Sequence, residues 1–392
     1  MEIPCLATAR ALQGLFAALL APAALSLISL AFPEGKERAK AFGLFAAIIT
    51  SGGAIGLLLG GLLTDYLSWR WALFINIPLS LIPVAGAWAY VARDARPQRS
   101  TRLDLPGTVL ATVGLVALVL GFSEANSRGW SDGITLGAIG LGVILLAAFA
   151  LVQARTRDPL LPPRILTERN RAGAYLSATL GLLSLFAVTL FLTYYLQAVK
   201  GYSPALTGVA FLPIAAAQVI GASALGTWLL GRLSARTVMA GGYLIAAASV
   251  LLMTSLDAGT PFAPTLLVAQ IGLGVGVGAA LLPATSLATY GIGPDDAGVA
   301  SATINVSQQV GASIGVALLN TVATNATAGY LAAHTTVTRS VALVHGYQTA
   351  YVWAAAFLIA AAVVSLLLVS AGRRGPSRSE QKPAKRETTG AR

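Results

Sequence analysis

Leu6 to Phe32 reads LATARALQGLFAALLAPAALSLISLAF, 27 residues suited to lipid that carry a single charge, Arg10. An arginine in such a run either turns its guanidinium out to the interface or is held inside by an acidic or carbonyl partner. At mid-span it costs about 2.5–3.5 kcal/mol on an insertion scale, and the Leu, Ile and Phe of the run offset a similar amount, so the helix inserts either way. With a helix start at Pro4, Arg10 lies about 9 Å along the axis, and periodicity alone favours the outward-turned guanidinium. The other side chains able to do chemistry inside apolar runs are amides and phenols: Gln13, Asn76, Tyr194, Tyr195, Gln218, Gln270, Asn305, Gln308 and Gln309. Such groups can line a path for a polar solute through an apolar cavity. They can equally cross-link helices, and the two tyrosines can form an interfacial belt.

The elements that position these residues follow from composition. The chain has 392 residues, 56% hydrophobic and 10% charged, against roughly a quarter charged in soluble domains. This is an all-α polytopic membrane protein. One cysteine, Cys5, excludes an intrachain disulfide framework. Two histidines, His334 and His345, leave no metal-ligand pattern, and no span pairs a nucleophile with a base. The expectation is a protein that is not an enzyme and needs no cofactor.

Eleven apolar runs are long enough to cross a bilayer core of about 30 Å. They lie near 6–32, 41–63, 71–91, 105–123, 134–154, 172–196, 205–229, 236–256, 262–289, 300–323 and 346–371. Alternate loops, with the C-terminal tail, collect 21 of the 26 Lys and Arg; the opposite loops hold only Arg70, Arg128, Lys200 and Arg339. That split assigns the basic loops to the cytoplasm, predicts a cytoplasmic C-terminus and an external 324–345 loop, and explains a net charge of +11 without nucleic acid. Residues 372–392 lack apolar periodicity and read as a disordered basic tail.

The sequence also repeats. AALLAPA at Ala17 and AALLPA at Ala279 precede GAIG at Gly53 and GASIG at Gly311 by similar distances, in spans of the same direction. A parallel repeat matches spans nine to eleven with spans one to three, and leaves spans six to eight without a counterpart. The symmetry predicts a partial N-terminal bundle over 1–92, two linker helices over 93–171 and a complete six-helix bundle over 172–371, with three further helices expected upstream.

ARALQGLFAALLAPAALSLI, GGAIGLLLGG, LSWRWALFINIP, YLQAVKGYSPALTGVAFLP and AGVASATINVSQQVGASIGVALL resemble, in order, the fourteen-helix drug:proton antiporters of the major facilitator superfamily, the EmrB/QacA-like branch. The resemblance implies a cell-membrane antiporter for multidrug efflux and drug resistance, exchanging small amphipathic molecules for protons. It places Arg10 in the proton-coupling motif of the family's fourth helix and so favours a buried role for that guanidinium. Gly52, Gly56, Gly60 and Gly61 fall on the antiporter motif of the next helix, although Leu57 stands where the family has a kinking proline. Those glycines can also be plain packing positions. Asp104 falls on an acidic position of the family, and its place before a helix equally suits an N-cap. None of the fifteen acidic residues lies at mid-span, so the resemblance implies that the proton-carrying acid belongs to the upstream helices. The alternative is a non-transporting membrane protein, a remnant or an interaction partner, that keeps the same fold.

Overall fold

The structure is a computed structural model that describes residues 8–17, 20, 52, 55–56, 58–90, 104–156, 159, 161–257, 259–289, 294–334 and 336–370. Among them there is helix and no strand. Most of the first two predicted spans, the AALLAPA half of the repeat, the basic loop after Tyr90 and the tail after Ser370 lie outside the described residues.

Helix occupies 8–17 and the stretch from Gly60 to Tyr66. Among the described residues nine longer helices follow: α1 (Trp71–Ala89, with a turn at Ile75), α2 (Leu105–Arg128), α3 (Gly133–Arg155), α4 (Arg169–Val199), α5 (Pro204–Leu230), α6 (Ala235–Ser255), α7 (Phe262–Ala288), α8 (Pro294–Ala333) and α9 (Arg339–Leu368). All but α8 are apolar enough over a bilayer's thickness to be read as spans. The acidic residues ahead of α2, α3 and α4 are used as N-caps. Asp104 accepts from the Gly107 amide at 2.9 Å, Asp132 from Ile134 at 2.9 Å, and Glu168 from Arg171 at 2.9 Å. Each satisfies a backbone donor that the first helical turn leaves open.

The helices α4 to α9 pack into one bundle around Phe191, Leu192, Tyr243, Leu273, Tyr351 and Leu358. Phe191 of α4 stacks on Tyr347 of α9 at 5.7 Å and meets Tyr351 edge-on at 6.4 Å. Small residues set the crossings. Gly242 of α6 and Gly276 of α7 face each other so closely that each carbonyl occupies the place of the other's Cβ. On α8, Gly311 and Gly315 lie against the Thr179 and Leu183 carbonyls of α4. Lipid is as apolar as leucine, so helix association in a membrane relies on such close backbone approach.

The helices α2 and α3 form a hairpin in which Gly142 rests on the Leu118 backbone, and α2 also packs on α8. By contrast, α1 buries no residue in its apolar window.

Two elements differ from the lengths that hydropathy predicts. The 300–323 run is part of a 40-residue helix, α8, that continues through TNATAGYLAA to Ala333, and α9 starts at Arg339 and not near residue 346. The expected 324–345 loop is therefore mostly helix, with a connector at 334–338. A hydropathy scan measures how much chain suits lipid. Alanine-rich polar sequence extends a helix into water just as well.

Candidate functional site

The site grows from a sharp turn. Gly201 has φ +69°, a conformation that side chains rarely adopt, and it follows a π-helical turn, Tyr195–Val199, that ends α4. Lys200 accordingly donates to the Tyr195 carbonyl, five residues back, at 3.0 Å. Ser203 then caps α5 by accepting from the Leu206 amide at 3.2 Å, with Pro204 at the first helical position. The string KGYSPAL therefore reverses the chain and sets the head of α5 beside the end of α4.

The helix around Gly60 docks on that head. A Cβ at Gly61 would lie 2.5 Å from the Pro204 carbonyl oxygen, so only glycine fits. At Gly52, Gly56 and Gly60 a Cβ would meet nothing within 4 Å. The docking leaves a cleft of about 340 Å³. Gly56, Gly60, Gly61 and Thr64 line it from one side and Ala72 from the head of α1. Thr193 and Gln197 come from α4, and Pro204, Thr207, Gly208 and Phe211 from α5. Among the described residues no charged side chain lines it. Beside it, Tyr195 donates its hydroxyl to the Asp257 carbonyl at 2.8 Å, and Gln348 donates to the Leu256 carbonyl at 2.7 Å. These bonds tie α4 and α9 to the α6–α7 turn.

Of the residues singled out in the sequence, the glycine motif reaches this cleft and the polar side chains do not. Arg10 is exposed and donates to Gln13, one turn on, at 2.9 Å. Asp104 holds Gln153 at 2.5 Å as well as its cap, and Gln153 accepts from the Leu161 amide at 3.0 Å, which ties the start of α2 to the end of α3. Asn76 donates to its own helix, to Leu73 at 3.0 Å. Tyr194 is exposed whereas Tyr195 is buried. Gln218 is half-buried where Gly274 and Gly278 bring α7 against α5. On α8, Asn305 and Gln309 are exposed and Gln308 is half-buried. Gln270 is fully buried, and among the described residues neither its amide oxygen nor its nitrogen has a hydrogen-bond partner.

Sequence reasoning missed Thr64, Thr193, Gln197 and Thr207. Threonine is common in apolar helices, where its hydroxyl bonds the preceding turn, and nothing in its spacing marks a cleft. The π-turns at Tyr195–Val199 and Gly221–Leu225 were equally invisible. Among the described residues, no group of three His, Cys, Asp or Glu is placed to hold a metal. The two histidines flank one ring instead, with Tyr330 stacked on His334 at 4.3 Å and on His345 at 4.4 Å.

Comparison with known proteins agrees with this architecture. Residues 2–316 match the Major Facilitator Superfamily. The chain is 49% identical over 365 residues to the puromycin resistance protein pur8 of Streptomyces alboniger, covering 92% of this chain and 72% of that one. It is 36% identical over 377 residues to the cephamycin export protein CmcT of Amycolatopsis lactamdurans, covering 95% and 75%. The tetracenomycin C resistance and export protein of Streptomyces glaucescens is 32% identical over 311 residues, 79% of this chain and 57% of its own. An all-helical membrane fold with a glycine-seated junction and similarity across four-fifths of the chain lead to one conclusion: the chain belongs to the major facilitator superfamily.

Proposed function

We propose that this chain exports small amphipathic molecules, antibiotics among them, across the cell membrane, with its C-terminus in the cytoplasm. Membership of a transporter superfamily sets enzymatic function aside, and relatives named for resistance and export support the outward direction. The structural observation that carries the reading is the docking of Gly61 on Pro204. It brings the glycine motif of the N-terminal region against the head of α5, leaving a cleft that no charged side chain lines among the described residues. Alternating access requires such a junction to open and close while the packed bundle stays intact.

The finer reading is a proton-coupled antiporter of the fourteen-helix, EmrB/QacA-like branch. The ordered motifs and the internal repeat support the branch, and the place of Arg10 in the family's proton-coupling motif supports a coupling role on that first helix. The same repeat supports three further helices upstream, and the family resemblance implies that one of them brings the protonatable acid. The 1–92, 93–171 and 172–371 division is part of this proposal. So are roles in the path for Gln218, Gln270 and Gln308, and in coupling for Asp104.

The test is resistance. The chain extended by the proposed upstream helices and the Arg10→Ala form of that longer protein are expressed in a sensitive host, and puromycin and cephamycin inhibitory concentrations are compared with an empty vector and with residues 1–392 alone, which should confer no coupled export. A rise of at least fourfold that Arg10→Ala removes, with the protein still in the membrane fraction, is expected. No rise for either compound would overturn export of these classes. A rise that Arg10→Ala leaves intact would overturn coupling through Arg10. A cysteine at His334 should react with an impermeant thiol reagent in intact cells; labelling only after lysis would reverse the orientation.

A further inference from the structure

The cleft at the Gly61–Pro204 junction has a polarity that its composition hides. Three threonines line it from three helices, and each hydroxyl hydrogen is already spent within its own helix. Thr64 donates to the Gly60 carbonyl at 2.7 Å, Thr193 to Thr189 at 2.9 Å and Thr207 to Ser203 at 2.9 Å. A carbonyl cannot donate, so the direction of all three bonds is fixed. A hydroxyl has one donor and two acceptor sites, and what each threonine retains is acceptor capacity alone. At the head of α5 the backbone adds no free donor from Pro204, which has no N–H, or from Thr207 and Phe211, whose amides are bonded within the first turns of the helix. Among the described residues Gln197 is the one lining side chain with N–H groups. Among the described residues no cationic or anionic side chain lines the cleft, and Phe211 adds an aromatic ring.

We propose that this cleft is a binding site selective for solutes that present N–H or O–H donors, with donor count rather than charge as the discriminating property, and that Thr64, Thr193 and Thr207 are its specificity-determining residues. A head group carrying two or three hydrogens on one nitrogen matches acceptors converging from three helices. A head group of the same charge with its hydrogens replaced by methyls would bury those lone pairs unsatisfied, and a site built to hydrogen-bond rejects such an analogue far more strongly than an apolar pocket rejects an extra methylene. The proposal deepens the export reading by giving the junction a ligand class, and rests on it only for the meaning of the site, since binding needs no transport.

The matched probes are dansylcadaverine, a primary ammonium, and its N-trimethylated form, with equal charge and no head-group donor. Binding is followed by dansyl fluorescence on the whole purified chain in nanodiscs without a pH gradient. Wild type should bind the primary ammonium at least fivefold more tightly, and the T64V/T193V/T207V triple variant should lose that preference, because valine keeps the shape and removes the acceptors. Gly60→Leu, which fills open space and meets no atom within 4 Å at its Cβ, should weaken both probes at least tenfold without unfolding, and it stands as the check if the triple variant misfolds. Equal affinity for the two probes in wild type, a preference that survives the triple variant, or unchanged binding by Gly60→Leu would each overturn the site. Donor-selective binding by a chain whose longer form confers no resistance would keep the site and overturn the export reading.

Discussion

Trp130 donates its indole N–H to the Thr321 hydroxyl at 2.9 Å, a bond that spans 191 residues of sequence. Trp130 sits in the turn between α2 and α3, and Thr321 lies on α8, so the bond fastens the hairpin to the bundle. Phe122 braces the indole edge-on at 5.9 Å. Trp130→Phe keeps a ring against Phe122 and removes the donor. It should lower stability in detergent by about 1 kcal/mol, the worth of one such bond, with insertion unchanged. An unchanged thermal midpoint would show that the hairpin is held by α2 packing alone.

The glycine motif should split by position. Gly61→Ala places a methyl 2.5 Å from the Pro204 oxygen and forces the junction apart, whereas Gly60→Ala meets open space. In the longer protein, resistance or dye efflux should fall at least tenfold for Gly61→Ala and stay within twofold of wild type for Gly60→Ala, at equal membrane abundance. Equal loss at both positions would mean that the junction seen here is not the contact that matters.

Gln270 keeps an amide that is unbonded among the described residues in a fully buried position, at a cost of about 1–3 kcal/mol. Gln270→Leu should therefore raise the thermal midpoint in detergent. It should also cut export by the longer protein at least fivefold, because a group left unsatisfied in one arrangement of the bundle is worth keeping only if another arrangement satisfies it. A midpoint that falls would show that the amide already has its partners here.

The turn between α6 and α7 carries the pH prediction. The Asp257 carboxylate accepts from the Thr260 hydroxyl at 2.9 Å and from the Gly259 amide at 2.7 Å. The Thr260 bond first, then the backbone bonds and the Lys200 charge, hold its pKa below the ordinary 3.8. A lowered folded pKa stabilises the turn at every pH above the unfolded value, and that contribution is lost as pH falls below about 3.8. A nitroxide at Ser255 should keep constant mobility from pH 7 to 5 and gain mobility only under more acid conditions. Asp257→Asn should show the mobile spectrum at pH 7. Loosening of wild type between pH 7 and 5 would contradict the assignment.

The sequence was legible wherever lipid dictated it. Apolar length marked the core of each described span, and Asp104 could be read as a cap because an acid before Leu105-Pro106 has one obvious backbone use. The ends of α8 and α9 were not legible, since solvent-exposed helix leaves no hydropathy signal. Nor was the cleft. Its acceptors are threonines whose function depends on three helices meeting, and no local pattern records which threonines converge. Gly61 stood out as part of a motif, but its identity as the tight position among four glycines depends on where Pro204 falls, 143 positions later.

Gly242 and Gly276 meet backbone to backbone, with no side chain from either position between α6 and α7. Meshed side chains make a pair of helices move like gears, in steps of a whole turn, about 5.4 Å. Here the side chains set against the two glycines are the single methyls of Ala280 and Ala246, very short teeth. At this crossing α6 and α7 have little to unseat when they slip by fractions of an ångström, and an alanine at either glycine would act as a stop, locking the pair at one setting or prising it open.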